Sequence, residues 1–304
     1  MEDIAKKLSG LETFILETTT FTFCLEEMFK ACLCASLGKA FDFAKFSNNN
    51  LSPEHAVHCV GALRNTCESV IYLAFATSLN KQDRKAFIGA LMEIDYTKTF
   101  DVQQDFFGLL RPYQRVPLTE SKFNKMQSTL KHIWQQNGFP NQVKNVPPTE
   151  QIVNRLAERE SAFFKILYGF LYRTTSAGVH FNPRVLLRSV WGDPVGKATY
   201  SEHHMADYHL VFTKVYSALL LCLYFELFAQ LLNTDSKIEE LVSELRFVLM
   251  KEVRWPEPVT FEEIQLNVPP NNDLGGAFLY GRTLELAEKV KKHGFIHTNW
   301  NGEN

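Results

Sequence analysis

The stretch YGFLYRTTSAGVH, residues 168–180, is the most informative part of the sequence for predicting the fold. It places a strong base, two phenols, a hydroxyl and an imidazole at the end of an apolar helix. Tyr168 and Tyr172 are four residues apart, so they are predicted to share one helix face. His180 follows Arg173 by about two helical turns, so both side chains are expected at the same junction between helices.

The segment before this stretch predicts one helix that begins at a Thr149 cap and continues into the motif. Apolar residues recur in it at helical spacing, and charged residues stand between them. The apolar positions are Leu156, Phe163, Ile166, Leu167, Phe170 and Leu171. Gly178 is expected to weaken or end this helix, because glycine costs about 1 kcal/mol relative to alanine in a helix interior. Asn182-Pro183 then has the form of a new N-cap with proline at the first helical position.

Two motifs carry a resemblance to the HEPN superfamily, whose all-helical domains include metal-independent ribonucleases. Arg173 and His180 match its Arg-x(4–6)-His spacing. The surrounding run is similar to one bacterial branch with a Tyr-x(3)-Ser-x(3)-His pattern, which here is Tyr172, Ser176 and His180. That branch also has an earlier Arg-x(3)-Glu helix, here Arg64 and Glu68. Together the motifs span less than half of the chain.

The resemblance implies a homodimer in which Arg173 and His180 of both chains form one RNA-cleaving cleft that needs no metal and no cofactor. It also implies a toxin or phage-defence role and a neutralising protein partner. One position departs from the pattern, since HEPN nucleases usually place Asn, Asp or His directly after the arginine and this chain has Thr174.

The residue types of the motif fit RNA cleavage. Attack by a 2′-hydroxyl needs a proton acceptor or donor that titrates near neutral pH, which histidine supplies. The phosphate becomes more anionic during the reaction, and arginine offers it a bidentate positive fork. We therefore predict catalytic roles for Arg173 and His180. Substrate-binding roles are predicted for Tyr172, Ser176, Tyr168, Arg64 and Glu68.

A second interpretation stays open at this point. Arg64 and Glu68 also fit an ordinary ion pair within one helix, since such pairs are common and contribute little. Arg173 would then cap carbonyls at a helix end, and His180 would be a satisfied histidine at a helix junction. Under this interpretation the protein is a non-catalytic helical dimer that binds a nucleotide or a protein partner.

Composition limits the classes of function. The chain has 304 residues, a formal net charge of −2 and a pI of about 6.5, so no global basic field draws it onto nucleic acid. RNA binding would therefore need a local surface. Between Lys81 and Lys144 the chain has a mild basic bias, which fits either a solvated face or an RNA-facing surface.

Cysteine usage and hydropathy predict a cytoplasmic protein without membrane contact. The six cysteines include no Cys-x-x-Cys pair and lie mostly in apolar helical runs, as buried free thiols do. The start, Met1-Glu2-Asp3, lacks the basic region of a signal peptide. Ser217–Leu232 is apolar, but its uncharged part is shorter than the roughly 20 residues of a membrane span, so we predict a buried core helix.

The predicted fold is an all-α, HEPN-like multi-helix bundle. Two long antiparallel helices are expected in its core, of which Ser201–Leu232 is one, with Leu219, Leu223 and Phe225 buried. Another long helix is predicted from Ser52 to about Thr77. The bundle is assigned to residues 1–256, and residues 257–304 to a C-terminal helical extension that packs on it. Further predicted helices cover Ile4–Phe46 with a soft point at Thr18–Thr20, Asn80–Phe107, Thr119–Asn137, Ser236 to about Val253 after a Ser236/Glu239 capping box, and Ala277–Lys292.

The run Glu202–His209 is the one candidate metal site in the sequence. His203 and Asp207 are four residues apart and His204 and Asp207 are three apart, so either pair shares a helix face with ligand-compatible spacing. A polar first turn of a long core helix explains the same residues. We therefore predict no metal site.

Overall fold

The computed structural model describes residues 2–20, 27–111, 123–139, 146–180, 182–187, 190–192, 198–200, 205–251 and 253–259. Helices dominate this part of the chain, which confirms the predicted all-α bundle. One short antiparallel hairpin, not predicted, pairs β1 (Val190–Gly192) with β2 (Ala198–Tyr200).

The helices follow the predicted order with sharper bounds. They are α1 Glu2–Thr19, α2 Met28–Asn49, α3 Pro53–Ser78, α4 Lys81–Leu110, α5 Phe123–Gln136, α6 Thr149–Arg159, α7 Phe163–Leu167, a π-helical segment Tyr168–Tyr172, α8 Arg173–Ala177, α9 Pro183–Leu187, α10 Ala206–Leu232 and α11 Ser236–Lys251. The predicted helix Ala277–Lys292 lies outside the described residues, as does the start of the predicted helix Ser201–Leu232.

The first predicted helix does break at its threonines. The Thr19 hydroxyl donates to the Ile15 carbonyl at 2.7 Å, and the Thr20 hydroxyl donates to the Leu16 carbonyl at 2.7 Å. Such side-chain bonds compete with the backbone ladder, and α1 ends there. Helix α2 runs antiparallel to α1. An ion pair joins the two helices, with Lys45 Nζ of α2 2.6 Å from Glu12 Oε1 of α1.

The centre of the core is α10, which packs on α2, α3 and α11. Leu223 and Phe225 are buried as predicted, whereas Leu219 is only partly buried. Among the described residues, Ala206–Leu232 is the helix long and apolar enough to cross a membrane, and 67% of its apolar window is buried inside the fold. That burial is typical of a core helix.

The long helices α3 and α10 run in the same direction. Val60 near the start of α3 and Phe212 near the start of α10 line the same small cavity. Further along, Cys67 and Ser69 of α3 lie beside the Tyr224 hydroxyl of α10. The two helices therefore run parallel. A short loop makes neighbouring helices antiparallel, but more than a hundred residues separate these two, so no loop sets their direction.

Helix starts show how far local signals reach. Ser52 and Pro53 begin α3 as predicted, and the Ser52 hydroxyl bonds His55 Nδ1 at 2.8 Å. The cap of α11 is one residue earlier than predicted, because Asp235 Oδ1 accepts from the Ile238 amide at 2.9 Å. The predicted Ser236/Glu239 capping box is therefore wrong.

The hairpin of α4 and α5 is closed by aromatic packing. The ring centroid of Trp134 of α5 lies 5.4 Å from that of Phe87 of α4 and 5.3 Å from that of Phe139, and both pairs pack edge to face. Leu130 and Ile133 of α5 are also buried.

The chain after α11 is tied to α10. The Tyr216 hydroxyl donates to the Pro256 carbonyl at 2.7 Å, and the Tyr208 hydroxyl donates to the Glu257 carbonyl at 2.8 Å. Residues 253–259 thus belong to the bundle, and they cross the predicted domain boundary at 256/257. The remainder of the predicted extension, residues 260–304, lies outside the described residues.

Candidate functional site

The helix that carries the motif begins later than predicted. α6 ends at Arg159, the chain turns over residues 160–162, and α7 begins at Phe163, whose amide donates to the Ser161 hydroxyl at 3.2 Å. The predicted single helix from Thr149 is therefore wrong. The turn changes the helical register, so Phe164 is buried and Ile166 is 67% exposed.

The motif helix contains a π-helical turn at Tyr168–Tyr172. The Arg173 amide donates to the Tyr168 carbonyl, five residues back. π-helical turns are rare and occur frequently at functional sites. The Tyr168 and Tyr172 rings stack with centroids 4.9 Å apart and planes 18° apart, so the predicted shared face is confirmed.

The structure brings the Arg-x(3)-Glu residues of α3 to Tyr172. Glu68 Oε1 accepts from the Tyr172 hydroxyl at 3.2 Å and from the Thr149 hydroxyl at 3.0 Å. Arg64 Nη2 donates to the Tyr172 hydroxyl at 2.9 Å and lies 3.7 Å from Glu68 Oε2. Glu68 therefore joins α3, α6 and the motif helix through one carboxylate.

Burial around this carboxylate keeps a second tyrosine neutral. Tyr72 of α3 lies beside Thr149 and Glu68, and burial, with a smaller effect from Glu68, raises the pKa of Tyr72 to about 12. Thr149 is buried and uses its hydroxyl on Glu68 rather than on the helix end, where Pro148 is the N-cap residue. The predicted Thr149 cap is therefore wrong, and its contact with Glu68 had no signal in the sequence.

Arg173 lies at the surface, with 64% of its side chain exposed. Its guanidinium carbon is 5.7 Å from the Tyr168 ring centroid, and its Nη2 is 4.0 Å from Glu150 Oε1 of α6. Burial raises the pKa of the Tyr168 phenol, and the Glu150 carboxylate raises it further. The sequence did not indicate Glu150.

His180 lies exposed where the motif helix ends. Its amide donates to the Ser176 carbonyl at 3.1 Å, and Ser176 is half-buried. The preceding residues cross α3 closely, since a Cβ added to Gly178 would lie 3.2 Å from Val60 Cγ1. The structure places Arg173 and His180 on one surface segment, and among the described residues no hydrogen bond or ion pair joins the two side chains.

The candidate metal site is only partly described. His203 and His204 lie outside the described residues, Asp207 is exposed, and His209 is buried with its ring edge to face against Tyr208. Within the described ranges, no group of three or more His, Cys, Asp or Glu residues is arranged to hold a metal ion.

The cysteines are free thiols where the structure describes them. Cys34, Cys67 and Cys222 are buried as expected, Cys59 is half-buried, and Cys32 is exposed, contrary to expectation. Cys24 lies outside the described residues.

Comparisons of the chain with protein-family models, curated proteins and solved structures find no match. A functional proposal therefore depends on the motif residues and on the geometry around Tyr168, Tyr172, Arg173 and His180.

Proposed function

We propose that the chain is a HEPN-like, metal-independent endoribonuclease that acts as a homodimer through Arg173 and His180. The observation that carries the proposal is that both side chains are exposed on one segment. Arg64 and Glu68 hold this segment against α3 through their hydrogen bonds to Tyr172. A nuclease needs its charged groups within reach of a polymer, whereas a purely structural pair can be buried.

The chemistry follows from the two side chains. In the reaction the 2′-hydroxyl of a ribose loses its proton and its oxygen forms a bond to the adjacent phosphorus. The bond from that phosphorus to the 5′-oxygen breaks, and the leaving oxygen takes up a proton. His180 of either protomer accepts or donates these protons, and Arg173 stabilises the phosphate oxygens as their charge increases.

The dimer is part of the proposal because one protomer offers a single Arg173 and a single His180. Two motif segments facing each other give one cleft with an acid, a base and two cationic forks. Ser176 would line that cleft, and the Tyr168 ring would lie behind Arg173. The Tyr172 hydroxyl bonds Arg64 and Glu68 instead, so we assign Tyr172 a supporting role. A toxin or phage-defence setting with a neutralising protein partner extends the same proposal.

The test is cleavage of single-stranded RNA by the purified protein in the presence of EDTA. The products should carry 2′,3′-cyclic phosphate ends, since the substrate supplies its own nucleophile. His180→Ala should lose about 10²–10⁴-fold in rate, the usual value of positioned proton transfer. Arg173→Ala should lose a comparable share, and the double variant should be little worse than the worse single one.

Matched controls are available on other elements. His132→Ala removes an exposed histidine from α5, and Arg246→Ala removes an arginine from α11 whose side chain is 56% exposed. Both variants should keep the wild-type rate, and light scattering should give a dimer mass. Absence of cleavage across varied RNAs, or cleavage that survives both motif substitutions, would reject the proposal. A non-catalytic helical dimer that binds a nucleotide or a protein would then be the better explanation.

A further inference from the structure

We infer that Tyr168 is a positioning residue for Arg173, and that Tyr172 and Glu68 hold Tyr168 in its orientation. The inference rests on the proposed function for the catalytic role of Arg173. It assigns the tyrosines and Glu68 to a support behind the arginine, where the sequence had predicted contacts with substrate.

Arg173 lies exposed at the surface. An exposed arginine samples many rotamers, so a site that uses it against a phosphate benefits from contacts that restrict it. Two such contacts are present, because the Arg173 guanidinium lies 5.7 Å from the Tyr168 ring centroid and 4.0 Å from Glu150 Oε1. A cation within about 6 Å of an aromatic ring is attracted to that ring.

The Tyr168 ring, on which the guanidinium lies, is itself held in place. Tyr168 is half-buried, and its ring stacks on Tyr172 at 4.9 Å with the planes nearly parallel. Both residues belong to the π-helical turn, whose closing bond runs from the Arg173 amide to the Tyr168 carbonyl. The same turn therefore sets the backbone of Arg173 and the rings beside it.

Hydrogen bonds connect the stacked Tyr168 and Tyr172 rings to α3. The Tyr172 hydroxyl donates to Glu68 and accepts from Arg64, and both of these residues belong to the long helix α3. Glu68 also accepts from Thr149, the residue before Glu150 on α6. The two groups that restrict Arg173, the Tyr168 ring and the Glu150 carboxylate, are thus both tied to Glu68.

The contact can be measured without any activity. In protein with isotope-labelled arginine, the side-chain NMR signals of Arg173, assigned by their loss in Arg173→Ala, should show a ring-current shift. Tyr168→Phe keeps a ring and should keep that shift, whereas Tyr168→Leu should abolish it. Tyr96→Leu removes a tyrosine that is 69% exposed on α4 and should leave the Arg173 signals unchanged.

The role of the contact is measured by kinetics. Tyr168→Leu should lower kcat about three- to fivefold and leave KM unchanged. This loss in rate corresponds to the free energy of an exposed cation–π contact. Tyr168→Phe should recover most of that loss, and Tyr172→Phe should fall between the two because it keeps the stack and loses the Glu68 bond. Tyr96→Leu should retain the wild-type kcat.

Two results would overturn the inference. One is a Tyr168→Leu variant with wild-type Arg173 signals and wild-type kcat, and the other is a Tyr168→Phe variant as defective as Tyr168→Leu. Failure of the proposed function looks different, because wild-type protein would then cleave no RNA while the NMR comparison still reports whether the ring holds Arg173.

Discussion

Glu68 shows what a single residue can connect in this bundle. Spacing along α3 predicts that Arg64 and Glu68 share a face, and they do. Spacing does not predict that Glu68 accepts from hydroxyls of two other helices, Tyr172 and Thr149. An ion pair within one helix contributes little at the surface, so the contacts across helices are the more informative part of the arrangement.

Tyr224 should make the stability of the fold depend on pH. It is fully buried, and burial raises the pKa of Tyr224 to about 12, whereas a tyrosine in an unfolded chain ionises near 10. Between pH 10 and 12 the unfolded chain therefore loses a proton that the folded chain keeps. The free energy of unfolding should fall over this window by up to about 1.4 kcal/mol per pH unit for each such tyrosine.

Urea unfolding at several pH values from about 9 to 11.5 measures this effect, because this range spans the pKa of a free tyrosine, which is about 10. Tyr224→Phe should show a shallower decline than wild type, because the replaced group cannot ionise. Tyr96→Phe, at an exposed position on α4, is the control and should follow wild type. Identical slopes for Tyr224→Phe and wild type would contradict the raised pKa.

At the scale of elements, the motif helix differs most from its prediction. Periodicity indicates a helix from Thr149 onward, and the structure divides it at residues 160–162 and inserts a π-helical turn. The turn at residues 160–162 shifts the register of the apolar face, which is why Ile166 is exposed and Phe164 buried, and the π-helical turn shifts it again from Tyr168 onward. Helical spacing cannot reveal such a shift, since the residue pattern on each side of it is still helical.

Two glycines of the motif helix give the prediction for this element. A Cβ at Gly169 would meet nothing within 4 Å, so Gly169→Ala should raise the free energy of unfolding by about 0.5–1 kcal/mol. A Cβ at Gly178 would lie 3.2 Å from Val60 Cγ1 and 3.4 Å from the Thr175 carbonyl oxygen, so Gly178→Ala should give no gain or a loss. Urea midpoints compare the two variants, and equal stabilisation would show that α3 does not approach the helix end so closely.

At the scale of the whole molecule, α10 sets the core. This helix packs on α2, α3 and α11, and within it Leu223 is 4% exposed, whereas Leu219 is partly buried. Leu223→Ala should therefore cost about 2–5 kcal/mol of unfolding free energy, and Leu219→Ala should cost less. Denaturant unfolding measures both values. A cost below about 1 kcal/mol at Leu223, or an equal cost at both positions, would place the core elsewhere.

Most helices could be predicted from the sequence alone, because their signals are local. Pro53 after Ser52 starts α3, the threonines around Thr19 end α1, and a long apolar run marks α10. The sequence also predicted that Tyr168 and Tyr172 share a face. These features depend on residues within a few turns of one another, so periodicity and capping rules are sufficient to find them.

Tertiary packing, by contrast, sets the parallel course of α3 and α10, the β1–β2 hairpin, the turn between α6 and α7, and the hydroxyl groups that donate to Glu68. Each depends on segments far apart in the chain, and packing in three dimensions chooses among arrangements that local preferences leave equal. The candidate site belongs to this second group. Its residues were predicted, but what holds Tyr172 in place became visible only when α3, α6 and the motif helix were packed together.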